Sequence, residues 1–178
     1  MIQISASGAV KEGNGAGPVW TTITACHFCV KDMYNPGSTY KVPVPAAGTI
    51  YSYWKSLALE ISGTYTTVDN IKIYTDGGGF GAGITVKVGD ETIVTGSYVQ
   101  ATGTEGETGV EMVANHGGIS ASTDFFTYNS GAVKSVTGSM ASNETLKSSH
   151  VVLQMEVTSA ASAGDLTDET ITWRWDET

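Results

Sequence analysis

The sequence contains one closely spaced pair of cysteines, in Cys26-His27-Phe28-Cys29. A CxxC pair can bind zinc or exchange disulfides when other groups complete the site. A structural zinc site needs four ligands, and the other soft ligands are three scattered histidines, His27, His116 and His150. A redox pair needs a helix N-terminus after a strand, whereas both cysteines fall within a predicted strand. The thiols are therefore expected to be ordinary core or half-buried side chains, and no metal site is predicted.

A second candidate is the glycine-rich stretch from Asp76 to Gly83, because glycine-rich loops can hold phosphate groups. Such a loop is followed by a helix and, for nucleoside triphosphates, by a Lys-Ser/Thr pair. Here the next residues, Ile84-Thr85-Val86, have the character of a strand. We therefore predict a turn in which Asp76 accepts backbone N–H bonds, and no cofactor.

Acidic residues suggest two further kinds of chemistry. Asp165, Asp168 and Glu169 could hold calcium in a loop, although their spacing matches no EF-hand, and solvated loop carboxylates are the favoured interpretation. Glu60 and Asp69 could act as the paired carboxylates of a glycosidase, but nothing in the sequence marks this pair. Ser, His and Asp occur without a nucleophile elbow. The chain is therefore predicted not to be an enzyme, with no catalytic, cofactor-binding or metal residues.

Tyrosines are concentrated around the middle of the chain. Flat faces of Tyr and Trp can stack on sugar rings, so a carbohydrate platform is one interpretation. The favoured interpretation is that most of these rings cover sheet edges or the margins of the core. The residues concerned are Tyr51, Tyr53, Tyr65, Tyr74 and Tyr98.

The strongest structural signal lies between Trp54 and Gly89, where three runs of alternating apolar and polar residues are joined by short, turn-rich linkers. Alternation with a period of two puts one set of side chains on a buried face, which is typical of antiparallel strands. The apolar residues of the three runs are Trp54, Leu57, Leu59 and Ile61, then Val68, Ile71 and Ile73, then Ile84, Val86 and Val88.

Further strands are predicted on both sides of this block. Glu91–Val94 is expected to pair with Ile84–Val88 across Gly89-Asp90, and the proline-bearing segment 40–45 is expected at a sheet edge. About nine to eleven strands at regular spacing predict an all-β protein, an antiparallel two-sheet β-sandwich of the jelly-roll or immunoglobulin-like kind. The additional strands are predicted at 2–5, 19–30, 124–128, 132–140, 150–157 and 170–175.

Two segments lack a strand pattern. Residues 6–17 are rich in glycine, so residues 1–17 are predicted to form an N-terminal arm attached to a single sandwich domain at 18–178. Residues 96–120 are polar and punctuated by glycine. A loop of that length is functional, or a binding surface, or disordered until a partner covers it.

Composition limits the classes of partner. The 178 residues are 40% hydrophobic but only 15% charged, and the net charge of −9 opposes binding to nucleic acid. No apolar run is long enough to span a membrane, and Met1–Ser5 lacks the start of a secretory signal. Three origins stay open: a protein retained in the cell, one whose signal was removed, or a virion component made in the host cytoplasm.

Several of these strand segments together resemble structural proteins of tailed bacteriophage virions. The resemblance covers about a third of the chain and consists of strand and turn patterns rather than ligand motifs. It rests on residues 54–61, 68–77, 83–89 and 169–177.

The resemblance implies a β-sandwich on the outside of a capsid or on a tail, acting as decoration, cement or fibre. The expected partners are the major capsid protein or other virion proteins, and the chain is expected to be a homo-oligomer located in the virion. Contact with nucleic acid or membrane is not expected. The alternative is a carbohydrate- or receptor-binding module on a tail or fibre.

Overall fold

The computed structural model describes residues 6–90, 98–141 and 146–178. These residues form two antiparallel β-sheets that pack face to face, which confirms the predicted all-β sandwich. None of the helices within the described ranges is long and apolar enough to cross a membrane. The predicted strand at 2–5 and the predicted hairpin strand Glu91–Val94 lie outside the described residues.

Sheet A is the larger of the two sheets and sheet B the smaller. The strands of sheet A are β1 (Ala6–Asn14), β2 (Val19–Thr22), β3 (Thr49–Tyr51), β4 (Lys55–Gly63), β6 (Ile84–Gly89), β7 (Gly103–Thr104), β8 (Thr108–Gly109), β9 (Ser122–Asp124), β12 (Leu146–Lys147) and β13 (Val151–Thr158). Those of sheet B are β5 (Thr67–Thr75), β10 (Lys134–Ser135), β11 (Met140–Ala141) and β14 (Ile171–Glu177). A short helix α1 (Met112–Asn115) and a 3₁₀ helix (Phe125–Thr127) complete the regular structure of the described ranges.

The central block behaves as its alternation predicts, except that Trp54, just before β4, packs in a second core on the opposite face of sheet A. Leu57, Leu59 and Ile61 of β4 point into the space between the sheets and are almost completely buried. The apolar side chains of β5 face them from sheet B, and those of β6 and β13 extend the same layer. This layer between the sheets is the main core of the protein.

Strand β5 contains an irregularity that the sequence shows as a broken alternation. Val68 and Ile71 are both buried although they are three positions apart, and Asn70 between them has φ +49°. On the partner strand β14, the register shifts between Arg174 and Asp176. The extra residue on β5 is therefore a β-bulge, which returns Ile71 to the inner face. Asn70 is stabilised there by donating from Nδ2 to Oδ2 of Asp176 at 2.7 Å.

Strand β13 is buried on both faces, as its continuous apolar run predicts. Its odd-numbered residues from Val151 to Val157 join the main core. On the opposite face, Val152 joins a second core with Tyr53 and Trp54. That second core forms because residues 98–119 fold over the outer face of sheet A and supply the buried side chains of Ala101, Met112 and Ile119.

The prediction of a long polar loop at 96–120 is therefore wrong for residues 98–120, the part of it that the structure describes. This segment contains the paired strands β7 and β8 and the helix α1. Its few apolar residues are the ones that reach sheet A, and periodicity gave no sign of them because they are irregularly spaced. The segment is a folded cover on the sheet.

The prediction of a loop or arm at 6–17 is also wrong for residues 6–14. Residues Ala6–Asn14 form β1, which pairs with β4 over eight positions and with β2 over four. The glycines of this segment interrupt the apolar alternation by which a strand is recognised in a sequence. One of them, Gly8, is required by packing. At Gly8 an added Cβ would lie 2.6 Å from the ring of Trp175. Small residues let β14 approach sheet A there.

Three other predicted strands differ from the structure. The strand predicted at 19–30 ends at Thr22, after which residues 23–30 run irregularly. The strand predicted at 132–140 is reduced to the two-residue strand β10, and β11 begins at its last residue. The strand predicted at 124–128 is replaced by a 3₁₀ helix capped by Asp124, whose side chain accepts from the Phe126 N–H at 3.0 Å. The segment 40–45, predicted at a sheet edge, belongs to no strand. By contrast, the strand expected at 170–175 is confirmed as β14, with Trp173 and Trp175 packed against the main core.

The second core contains a histidine that should make stability depend on pH. His116 is 3% exposed, its ring lies 5.5 Å from that of Trp54, and its Nδ1 accepts from the Gly118 N–H at 3.4 Å. Its Nε2 is buried and has no hydrogen-bond partner among the described residues. Burial lowers the pKa of His116 from its ordinary value of 6.5.

We expect the protein to lose stability as the pH falls below about 6.5, because the unfolded chain then takes up a proton that the folded chain resists. The loss continues until the pH reaches the lowered pKa of the folded state, with a maximum slope of about 1.4 kcal/mol per pH unit. Well above pH 6.5 the imidazole is neutral in both states, and this residue contributes no pH dependence. Urea unfolding at several pH values, compared with His116→Phe, isolates the effect; equal slopes in both proteins would contradict it.

Candidate binding site

A cavity of about 560 Å³ opens at one end of the sandwich. It lies where sheet B stops, since Thr75 at the end of β5 pairs with Ile171 at the start of β14 and both line it. Sheet A continues beyond this point, and its inner face forms the floor. The floor residues Leu57, Val86 and Met155 are almost completely buried. The cavity is therefore a gap left because sheet A extends past sheet B.

Aromatic side chains form much of the wall. Phe80 and Phe126 meet edge to face with their centroids 5.5 Å apart, and Trp173 of β14 and Phe28 also line the cavity. Four polar residues of the lining, Thr24, His27, Thr167 and Thr170, are exposed to solvent. The buried hydroxyl of the lining is that of Thr75, which donates to the Tyr128 carbonyl at 2.9 Å and accepts from the Gly77 N–H at 3.0 Å. The interior of the cavity is therefore suited to an apolar group.

Charged residues gather at the mouth. Lys41 pairs with Asp165 at 2.9 Å, with side chains that are 63% and 91% exposed. Asp168 and Glu169 also line the cavity. Glu169 accepts from the Gly79 N–H at 3.3 Å. One cation thus faces three carboxylates, and the mouth carries net negative charge.

The segment 23–42, which forms one side of the cavity, is held to sheet A by the buried ammonium of Lys55, which also forms an ion pair within the sheet. Lys55 of β4 is 1% exposed and lies 3.1 Å from the carboxylate of Glu12 on β1, which is 0% exposed. Its ammonium also donates to the Met33 carbonyl at 2.5 Å and lies 3.6 Å from Sγ of Cys29. Burial lowers the pKa of Lys55, but the charge of Glu12 and the hydrogen bond to its carboxylate outweigh that effect, so the pKa is raised and the side chain stays charged.

The chain matches no known family model, no curated protein and no solved structure. Any role of the cavity therefore rests on the chemistry of its own residues. Some of those residues come from the sites that the sequence suggested, and others come from segments that carried no motif.

The CxxC pair takes part in packing. Both cysteines are free, Cys29 is buried and Cys26 is half-buried against the main core and lines the cavity. Burial first, and then the charge of Glu12, raise the pKa of the Cys26 thiol, so it stays protonated at neutral pH. His27 beside it is exposed, whereas His116 and His150 are buried. Within the described ranges, no cluster of three or more His, Cys, Asp or Glu residues could hold a metal ion.

The glycine-rich stretch after β5 is a turn, as predicted, and β6 follows it. Asp76 accepts from the Gly78 N–H at 3.1 Å, and this hydrogen bond lowers the pKa of Asp76. Asp76 also accepts from the Thr170 N–H at 3.4 Å, which ties the turn to the start of β14. The turn and the acidic loop at 165–169 are thus neighbours at the mouth, a proximity that the sequence does not show.

The other predicted groups are dispersed. Glu60 lies on sheet A and pairs with Lys11 at 2.9 Å, whereas Asp69 is exposed on sheet B. Among the tyrosines, Tyr53 and Tyr65 are buried, and Tyr51, Tyr74 and Tyr98 are half-buried. These rings cover core margins, in agreement with the favoured interpretation, and do not form one flat exposed face.

Sequence reasoning missed the buried polar groups. Lys55 was detectable, because it has the same parity as Leu57, Leu59 and Ile61 and so had to point inward with them. Glu12 was hidden in a glycine-rich segment that has no alternating pattern. A charged residue at an inward position of an alternating run is the signal that would have indicated a buried partner.

Proposed function

We propose that this chain is a non-enzymatic virion structural protein, a capsid decoration or cement protein that binds the capsid lattice and stabilises the particle. The observation that carries the proposal is the edge of sheet B. Strand β14 pairs with β5 on one side, and no other described strand pairs with its second side. A seven-residue open edge can add a strand from a neighbouring subunit through backbone hydrogen bonds.

Other features support the same proposal. Residues 1–17 are predicted as an N-terminal arm, but residues 6–13 already pair with β4 and residues 11–14 with β2 in sheet A. The edge of β14, which no other described strand pairs, is therefore the edge that we assign to the lattice contact. The low content of charged residues, 15%, and the net charge of −9 favour protein partners over nucleic acid. The strand blocks that resemble virion proteins correspond to β4, β5, β6 and β14, the frame of both sheets.

The test is made on particles purified from the host that produces this chain with a small tag. A low-resolution map should place the tag on the particle exterior, and particles that lack the chain should release their genome at a lower temperature than complete ones. Adding purified chain back should restore the release temperature. A map without the tag on any particle would refute the virion proposal.

Hydrogen exchange tests the edge separately. Amides of β14 should exchange more slowly in the particle-bound chain than in the free chain, because new backbone hydrogen bonds protect them. Amides of β13, which is already paired on both sides, provide the internal control. Equal exchange of β14 in the two states would show that the lattice contact lies elsewhere.

A second candidate function is a carbohydrate- or receptor-binding module on a phage tail or fibre. The observation that favours it is the cavity at the end of the sandwich, because loops at that position of a rigid scaffold are suited to recognition. Binding to a glycan array that is lost on replacing Trp173 would support this module. Glycan binding that persists after Trp173 is replaced would show that the glycan does not bind in the cavity.

A further inference from the structure

We infer that the cavity at the end of the sandwich binds a small organic cation with an apolar body, such as an alkyl or aryl ammonium compound. This inference does not rest on the virion proposal, since it concerns a small molecule in the cavity and not the unpaired edge of β14, although Ile171 and Trp173 of β14 also line the cavity. It follows from the size of the cavity, the chemistry of its wall and the charge at its mouth.

The size and the wall define the apolar part of the ligand. A volume of about 560 Å³ lies within the roughly 300–1,000 Å³ range of small-molecule pockets. The floor is formed by buried aliphatic side chains, and the wall by Phe28, Phe80, Phe126 and Trp173. The Thr75 hydroxyl already has its hydrogen-bond partners, and the Cys26 thiol stays protonated. An apolar group that reaches the buried part of the wall therefore gains by leaving water, since the remaining uncharged polar residues of the lining are exposed to solvent.

The mouth defines the charge of the ligand. Lys41 is neutralised by Asp165, which leaves Asp168 and Glu169 as the uncompensated charges among the lining residues. Asp76 adds a further carboxylate beside them through its bond to Thr170. A cation at the mouth would face these carboxylates, and the aromatic rings below it would attract it as well. A carboxylate ligand of the same length would be repelled.

The segments around the cavity come from separate parts of the chain and are fastened independently. The ammonium of Lys55 holds the segment 23–42 through the Met33 carbonyl, and Asp76 and Glu169 link the turn after β5 to the loop before β14. The opening is thus built by tertiary contacts and does not depend on a single mobile loop. A preformed opening lowers the ordering cost of binding.

The probes are three molecules with the same alkyl chain, octylammonium, octanol and octanoate, each used below its micelle concentration. We expect octylammonium to bind with a dissociation constant in about the millimolar range or tighter. Octanoate should bind about fivefold or more weakly, and added salt should reduce the difference. Binding is followed by the shift of the Trp173 indole N–H signal, assigned with Trp173→Phe.

Two variants locate the site and one controls for charge. Asp168→Lys should weaken octylammonium and strengthen octanoate. Ala25→Phe, at an exposed position that lines the cavity, should block all three probes while the melting temperature stays close to that of the parent chain. Asp69→Lys makes the same change of charge on the exposed surface at the opposite end of β5 and should leave binding unchanged.

Each remaining outcome overturns the inference. Equal affinity for the three probes would refute the assignment of a cation. Binding that survives Ala25→Phe would place the ligand elsewhere. Absence of saturable binding would mean that the cavity is a packing gap. None of these results bears on whether the chain decorates a particle.

Discussion

Lys55→Met is expected to lower the free energy of unfolding by about 3 to 5 kcal/mol, because it leaves the carboxylate of Glu12 buried without its counter-ion. Met has a similar length, so the loss reflects the missing charge more than lost packing. The Met33 carbonyl also loses its donor, so the segment 23–42 is loosened from sheet A. Urea unfolding followed by tryptophan fluorescence measures the change.

The control is the same substitution at a surface pair. Lys41→Met removes the partner of Asp165, whose side chain is 91% exposed, and should cost about 0 to 1 kcal/mol. The double variant Glu12→Gln/Lys55→Met removes both charges and should recover part of the loss of the single variant. If Lys55→Met costs no more than Lys41→Met, the buried pair is not what holds this end of the sandwich.

Gln154→Leu is expected to lower the free energy of unfolding by about 3 to 5 kcal/mol, since three buried backbone groups lose their partner at once. The Nε2 of Gln154 donates to the carbonyls of Ser52 and Val110 at 2.8 Å each, and its Oε1 accepts from the Met112 N–H at 2.8 Å. This single side chain therefore joins β13 to the segment 98–120. Leu has a similar size, so the loss reflects hydrogen bonding more than volume.

Gln100→Leu provides a matched control. Gln100 is half-buried and donates one hydrogen bond, to Asp32 at 2.9 Å, so its loss should cost about 1 kcal/mol. A second measurement separates local from global effects. Hydrogen exchange at the Met112 amide should accelerate more in Gln154→Leu than exchange at β4 amides. A uniform change across the chain would show that Gln154 does not specifically fasten the segment.

The sequence predicted the strands with regular alternation. Strands β4, β6, β13 and β14 lie where their apolar runs are, because a period of two forces one set of side chains inward. The turn after β5 followed from its glycines and from the strand after it. These features depend on neighbours in the chain, so the sequence alone specifies them.

The segments that the sequence predicted wrongly are those whose structure depends on residues far away in the chain. Strand β1 carries glycines because Gly8 must admit Trp175, which is far away in sequence. The segment 98–120 looks polar, yet Gln154 satisfies its backbone groups and Trp54 packs against its His116. Propensity and periodicity describe local preference, so they do not register such long-range partners.

The features of the candidate site can also be divided into those that the sequence predicted and those that only the tertiary structure determined. Residue types and spacing predicted that the two thiols of the CxxC pair are packed side chains and that Asp76 is a turn residue. Tertiary structure decided that Cys26, Phe80 and Trp173 line one cavity, and that Asp165, Asp168 and Glu169 lie at its mouth. The physical reason is that sheet A extends past sheet B. The length by which one sheet exceeds another is set by packing between strands, and no local pattern in the chain encodes it.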